Sequence, residues 1–180
     1  LKTAADSALG ARHLARQDSK TLLILGAGQV ARNVAAAYRQ IFPGLERILL
    51  WNRTSEKAAA LAADLAASGL PAEAVSDVAS AAAQADIIVT ATMSSDPVLH
   101  GDWITPGTHV DLIGAFRAEM READDALLQK ARIFVDSRDT TLHHIGELKI
   151  PLASGAITEA DVLADLYQLD QGHAGRTGPD

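Results

Sequence analysis

The chain has 180 residues, a formal net charge of −7 and no cysteine, and hydrophobic residues make up 48% of it. These values are typical of a globular domain and exclude a disordered chain, a disulfide scaffold and a cysteine-based metal site. The acidic balance and the lack of a long apolar run or signal-peptide pattern predict a cytoplasmic protein with no nucleic-acid or membrane partner.

Short apolar runs alternate with amphipathic segments along the chain. Alanines recur on one face of residues 3–16, which predicts a helix. Six runs have the continuous apolar pattern of strands buried on both faces of a parallel sheet. They cover residues 21–25, 47–51, 74–75, 86–90, 109–113 and 132–135. Further helical periods cover residues 30–41, 55–68, 77–83, 120–131 and 159–169.

This alternation predicts an α/β fold. Crossovers between parallel strands of one sheet are almost always right-handed, and the doubly wound topology is the first choice for such a pattern. We therefore expect a Rossmann-type, largely parallel six-stranded sheet with helices on both faces.

A glycine-rich turn follows the first predicted strand and opens the next helix. Residues 26–31 read Gly-Ala-Gly-Gln-Val-Ala and match the pattern G-x-G-x-x-A. Gly26 permits the tight turn, and Gly28 lets the backbone approach a pyrophosphate at the helix N-terminus. The pattern alone is weak, but its place between strand and helix favours a dinucleotide site that includes Gln29 and Val30.

The end of the second predicted strand indicates which dinucleotide is bound. A site for NAD usually has Asp or Glu there, to accept hydrogen bonds from the ribose. This chain has Asn52, Arg53 and Thr54 instead. A guanidinium favours a 2′-phosphate, whereas a carboxylate repels one, so we expect NADP(H) to be preferred over NAD(H). The alternative is that Arg53 is a solvated residue that ends the strand.

Small and hydroxyl-bearing residues follow the fourth and fifth predicted strands at the same sheet edge, where ligands bind in open α/β sheets. They suit a wall around the ribose and nicotinamide, although ordinary turn chemistry explains any one of them equally well. The residues assigned to this wall are Thr90, Ala91, Thr92, Met93, Ile113 and Gly114.

Other polar residues give weaker signals. His143 and His144 are adjacent in sequence, so their rings diverge, and we expect a solvated pair and no metal site. Asp111 lies in an apolar strand and must be paired or protonated if it is buried. The acidic run at residues 122–125 is most simply a solvated face near a helix start.

With these motifs placed, the sequence resembles the nucleotide-binding half of the ornithine cyclodeaminase/mu-crystallin family. The resemblance covers nearly all of the chain, and the combination of motifs is far more specific than any one of them. The matching stretches are residues 2–5, 26–31, 51–54, 88–92, 106–110 and 133–137.

The resemblance implies a domain organisation. Residues 1–19 correspond to a lead-in helix, 20–138 to the dinucleotide-binding domain, 139–170 to a C-terminal helical segment, and 171–180 to a flexible tail. Family members are homodimers with a separate N-terminal domain for dimerisation and substrate binding. We expect this chain to be a piece of a longer protein whose catalytic residues lie in that missing domain.

Two departures from the family pattern bear on activity. Lys2, followed by Thr3, stands where the family usually has an Arg that contacts cofactor phosphates, and Lys loses the bidentate fork. Phe116 stands near the substrate where ornithine cyclodeaminases and related alanine dehydrogenases have an Asp that handles the amine. Because Phe cannot accept a proton, this residue argues against both activities.

The family activity that remains is ketimine reduction, in which NADPH reduces a small cyclic imino acid such as Δ1-pyrroline-2-carboxylate or Δ1-piperideine-2-carboxylate. Three alternatives stay open at this point. They are ornithine cyclodeamination with bound NAD, nucleotide-dependent binding as in mu-crystallin, and another NADP-linked Rossmann enzyme related to shikimate dehydrogenase.

Overall fold

The computed structural model describes residues 2–172, 175, 176 and 178. Its centre is a five-stranded parallel sheet with the strand order β3-β2-β1-β4-β5. The strands are β1 (Thr21–Leu25), β2 (Arg47–Trp51), β3 (Ala72–Ala74), β4 (Ile87–Thr90) and β5 (His109–Leu112). This is the doubly wound α/β arrangement expected from the sequence.

Helices cover both faces of the sheet because its strands are apolar on both sides. In β1, Leu22 and Ile24 pack against the first three helices, whereas Leu23 and Leu25 pack against the fourth and fifth. The helices are α1 (Lys2–Leu14), α2 (Gln29–Ile41), α3 (Ser55–Ala67), α4 (Val78–Gln84), α5 (Asp125–Lys130), α6 (Arg138–Thr141), α7 (Gly146–Ser154) and α8 (Leu166–Asp170). In the described part of the chain, no helix has the length and apolar character needed to cross a bilayer.

The expected sixth strand forms, but it does not join the main sheet. β6 (Ile133–Val135) pairs in parallel with β7 (Val162–Asp165) in a separate two-stranded sheet. Ile133 and Val135 pack in a small third core with Leu148 of α7 and Val162 of β7.

The helix predicted over residues 159–169 is wrong for most of its length. Val162 and Ala164 are buried and Leu163 is exposed, which is the period of a strand. α8 begins only after Asp165, whose side chain accepts from the N–H of Gln168 as a helix cap. The C-terminal segment 139–170 is therefore mixed and not purely helical.

The helix predicted over residues 120–131 is shorter than expected. It begins after Asp124, whose Oδ1 accepts from the N–H of Leu127 at 2.9 Å. Before it, Ala123 forms an isolated β-bridge with Leu99, and Glu122 O accepts from the N–H groups of Val98 and Leu99. This segment of the chain therefore places Glu122 in the interior of the protein.

The predicted flexible tail is described only in part, since residues 173, 174, 177, 179 and 180 lie outside the described residues. Gly172 N donates to Leu169 O, which closes α8. Arg176 donates through Nε to Leu14 O at 2.6 Å and through Nη2 to Gly107 O at 3.0 Å. The described part of the tail thus contacts α1 and the turn before β5.

Candidate functional site

The carboxyl ends of four parallel strands lie along one edge of the sheet. Leu25 at the end of β1 is level with Trp51 of β2 and Thr90 of β4, and Thr90 is level with Leu112 of β5. Because β2 and β4 lie on opposite sides of β1, the strand order reverses at this edge. Ligands of open α/β sheets bind at such a reversal.

Two glycines shape the turn between β1 and α2 in different ways. Gly26 has a φ of +117°, its N–H donates to Trp51 O at 2.8 Å, and an added Cβ would lie 2.6 Å from Ala91 O. Only glycine fits that position. Gly28 has an extended backbone, and a Cβ added there would meet nothing within 4 Å. The space beside Gly28 is open.

The N-terminus of α2 faces this open space with the features of an anion site. Its first turn has no acidic residue and no side-chain cap, so its first N–H groups have no helical acceptor. Gln29 and Val30 are exposed beside it. Free N–H groups and the positive end of the helix dipole fit the pyrophosphate of a dinucleotide.

The residues after β2 lie at the same edge. Asn52 is partly buried, and its Nδ2 donates to Thr54 O at 3.0 Å, which forms the turn into α3. Arg53 is exposed, and within the described ranges its guanidinium makes no hydrogen bond or ion pair. The Thr54 side chain makes no cap hydrogen bond. These side chains have donors to offer to an adenosine phosphate.

A buried carboxylate joins the ends of β4 and β5. Glu122 has 0% of its surface exposed and accepts four hydrogen bonds. The donors are Thr90 Oγ1 at 2.7 Å, Thr92 N at 2.6 Å, Thr92 Oγ1 at 2.6 Å and Gly114 N at 2.7 Å. A Cβ on Gly114 would lie 2.6 Å from the carboxyl carbon, so this glycine makes room for Glu122.

The prediction that residues 122–125 form a solvated face is wrong. Glu122 is enclosed by the two strand ends, and Asp124 accepts from the N–H groups of Gly101 and Leu127, each at 2.9 Å. An acidic run looks the same in sequence whether its partners are water or N–H groups from distant segments. No local signal identified Glu122, because three of its four hydrogen bonds come from residues 30 and 32 positions away.

A second buried carboxylate supports the first. Glu147 is 5% exposed and accepts from the N–H of Glu122 at 2.7 Å and from that of Ala123 at 3.0 Å. Burial raises the pKa of Glu147 to about 7. The preceding Gly146 donates from its N–H to Arg117 O at 2.8 Å. The start of α7 therefore holds residues 117–123 in place.

The remaining wall residues line the same edge. Ile113 and Ala91 are partly buried, and Ile113 N donates to Thr90 O at 3.0 Å. Met93 is 62% exposed and has a φ of +57°, a left-handed conformation that is uncommon for a residue other than glycine. Its side chain is accessible at the strand ends.

The residues expected at the border of the site are exposed. Lys2 and Thr3 begin α1, and Lys2 Nζ pairs with Asp6 Oδ2 at 3.0 Å. This hydrogen bond raises the pKa of Lys2. Phe116 is 55% exposed, with the Arg117 guanidinium 5.2 Å from its ring centre.

The other polar candidates have structural partners. Asp111 is paired, as its place in the sequence required: Tyr38 Oη donates to its Oδ2 at 3.0 Å, and Ser7 Oγ donates to the same oxygen. His143 and His144 are exposed. In the described part of the chain, no three His, Asp or Glu side chains come together as a metal site.

The sheet order and the glycine turn define a Rossmann-type fold of the kind that binds dinucleotides. The chain belongs to the ornithine cyclodeaminase/mu-crystallin family, whose model matches residues 1–180. The resemblance carried by the sequence motifs is thereby confirmed.

Three proteins that the chain is similar to carry the names of reductases. A Δ1-pyrroline-2-carboxylate reductase of Paracoccus denitrificans is 57% identical over 168 residues, which are 93% of this chain and 53% of the relative. The rat ketimine reductase mu-crystallin is 36% identical over 171 residues, 95% of this chain and 51% of the relative.

The third is a solved structure, the Δ1-pyrroline-2-carboxylate reductase of Thermococcus litoralis in complex with NADH and L-proline. It superimposes with a TM-score of 0.94 at 30% identity, over 99% of this chain and 55% of that one. The chain thus spans about half the length of the relatives it matches.

Proposed function

We propose that this chain is the cofactor-binding domain of an NADPH-dependent reductase of a small cyclic imino acid of the Δ1-pyrroline-2-carboxylate or Δ1-piperideine-2-carboxylate type. The observation that carries the proposal is the 57% identity to a Δ1-pyrroline-2-carboxylate reductase over 93% of the chain. The likeness to a reductase solved with NADH and L-proline supports it.

In such a reaction, the bound nicotinamide supplies a hydride to the carbon of the C=N bond. The residues of this chain hold and orient the dinucleotide. The N-terminus of α2 binds the pyrophosphate beside Gly28, and Asn52, Arg53 and Thr54 bind the adenosine end. The ends of β4 and β5 form the wall at the nicotinamide.

The carboxylate anchor and the proton for the imine nitrogen come, in this proposal, from a part of the protein outside this chain. In this proposal Phe116 lies beside the substrate, where it can neither accept a proton nor pair with an ammonium group. It favours imine reduction over amine elimination. We also propose that the whole protein is a cytoplasmic homodimer.

The test is an assay of the full-length protein with NADPH or NADH and each of the two cyclic imines. The expected result is oxidation of NADPH with at least one imine. Turnover of ornithine to proline and ammonia without net change in the nicotinamide would contradict the proposal, and so would tight NADPH binding with no turnover of any imine.

The preference for NADP(H) depends on Arg53. Arg53→Ala is expected to weaken NADPH binding by about 1–3 kcal/mol, as for a lost charge-assisted hydrogen bond, and to leave NADH binding nearly unchanged. Fluorescence titration of both dinucleotides measures this.

Arg47→Ala is the matched control, since Arg47 begins the same strand at the opposite edge and pairs with Glu73. It should change neither affinity. Equal losses for NADPH and NADH in Arg53→Ala would show that this side chain does not read the 2′-phosphate.

A further inference from the structure

We infer that Glu122 is a positioning residue that sets the nicotinamide half of the dinucleotide site by joining the ends of β4 and β5. The inference rests on the proposed function and adds to it a residue that touches neither cofactor nor substrate. Its hydrogen bonds reach Thr90, Thr92 and Gly114, which follow one another along the wall assigned to the nicotinamide.

The hydrogen-bond pattern requires a carboxylate. Oε1 accepts from the N–H and the hydroxyl of Thr92, and Oε2 accepts from the N–H of Gly114 and the hydroxyl of Thr90. Each oxygen therefore receives one main-chain N–H and one hydroxyl. An amide in this place must turn its NH2 toward one of the two N–H groups, which cannot accept a hydrogen bond. Glutamine thus breaks one of the two main-chain contacts in either orientation.

The contacts of Glu122, above all the two to main-chain N–H groups, hold the two strand ends together. Thr92 lies in the loop that leaves β4, and Gly114 lies in the loop that leaves β5. One side chain joins these loops where the ladder between the strands has already ended, since the last pair of the ladder is Thr90 and Leu112. Loss of either contact frees one loop relative to the other.

The adenosine half is built by other elements. The open space at Gly28 belongs to the turn between β1 and α2, and Arg53 follows β2. In the described part of the chain, the Glu122 carboxylate has no hydrogen bond to either of these segments. Its effect should therefore be confined to the half of the site formed by the ends of β4 and β5.

The position of Glu122 is itself fixed from outside the sheet. Glu147 accepts from its main-chain N–H, and the carbonyl of Glu122 accepts from Val98 and Leu99. With its main chain held on both sides and its surface fully buried, the carboxylate has little freedom to follow a moving loop. It acts as a fixed point for both loops.

The test compares Glu122→Gln with wild type in the full-length protein, using two probes for each cofactor form. The affinity for NADPH is compared with that for 2′-phospho-ADP-ribose, and the affinity for NADH with that for ADP-ribose. The second compound of each pair is a fragment that lacks the nicotinamide. The expected result is a loss of about tenfold in affinity for the whole dinucleotide, of the size of one lost buried hydrogen bond. Affinity for the fragment should stay within about twofold of wild type.

A second variant covers the case in which Glu122→Gln does not fold. Thr90→Val removes one hydroxyl donor and keeps the shape of the side chain. It should weaken the whole dinucleotide in the same selective way, by a smaller factor.

Tyr38→Phe is the control for a merely structural loss, because Tyr38 is fully buried and gives its hydrogen bond to Asp111. It should lower the melting temperature and affect dinucleotide and fragment alike. Equal losses for dinucleotide and fragment in Glu122→Gln, or no loss for either, overturn the inference. Failure of the proposed function would be observed separately, because the wild-type protein would then bind neither NADPH nor NADH.

Discussion

The carboxylates that accept hydrogen bonds inside this protein differ in which segments they join. Asp111 joins α1 and α2 to β5 through Ser7 and Tyr38, whereas Glu122 and Glu147 hold loops. Burial raises the pKa of Asp111 to about 6 and that of Glu147 to about 7. Such groups bind their proton more tightly in the folded state than in the unfolded state. The free energy of unfolding therefore falls as pH rises from the unfolded-state pKa to the folded-state pKa.

Asp111→Asn tests this effect at a carboxylate that the proposed dinucleotide site does not use. Ser7 and Tyr38 both donate to the same oxygen, Oδ2, so an amide oxygen can replace it. Between the ordinary pKa of 3.8 and the folded-state value of about 6, the wild type should lose unfolding free energy as pH rises. The variant lacks this titration, so its stability should fall less over that range.

Urea unfolding of both proteins at a series of pH values measures the difference. Asp111→Ala is the control, because it removes the acceptor that the Ser7 and Tyr38 hydroxyls share and should cost about 1–3 kcal/mol. Parallel stability profiles for wild type and Asp111→Asn would contradict the raised pKa of Asp111.

At the scale of elements, the turn between β1 and α2 contains two glycines that are present for different reasons. Gly26 is required by its backbone conformation and by the close approach of Ala91 O. Gly28 has a conformation open to any residue and no neighbour for a Cβ. The fold therefore does not require glycine at position 28, whereas the proposed pyrophosphate site does.

Gly28→Ala should leave the melting temperature unchanged and weaken binding of both NADPH and NADH, because its methyl group occupies the space at the helix N-terminus. Gly26→Ala should instead lower the melting temperature, since a φ of +117° and a contact of 2.6 Å to Ala91 O strain any side chain. Thermal unfolding and dinucleotide titration on each variant separate these effects. Destabilisation by Gly28→Ala without a change in affinity would argue against the assigned pyrophosphate site.

On the scale of the whole molecule, the C-terminal segment holds the residues that carry Glu122 to the candidate site. The start of α7 contacts residues 117–123 through Gly146 and Glu147, and those residues carry Glu122 to the strand ends. A Cβ on Gly146 would lie 2.7 Å from Ala118 O and close to Met120 O. The approach of the two segments depends on this glycine.

Gly146→Ala should therefore destabilise the protein by about 1–3 kcal/mol, as expected for overpacking against main-chain atoms. Gly10→Ala is the matched control, because Gly10 lies inside α1 and its nearest atom to an added Cβ is Leu166 Cδ2 at 3.8 Å. It should stabilise by about 0.5–1 kcal/mol. Equal stability of the Gly146→Ala variant and wild type would show that α7 is not packed on this segment.

The sequence by itself determined the α/β class, the first five of the six predicted strands, the glycine turn and the place of Arg53 after β2. These features follow from hydrophobic periods and from turn residues, which depend on neighbours within a few positions. The pairing of β6 with β7 and the burial of Glu122 and Glu147 were decided only by the tertiary structure. Their partners lie up to 32 positions away. The local sequence around an acidic residue is the same whether its carboxylate accepts hydrogen bonds from water or from a distant N–H group.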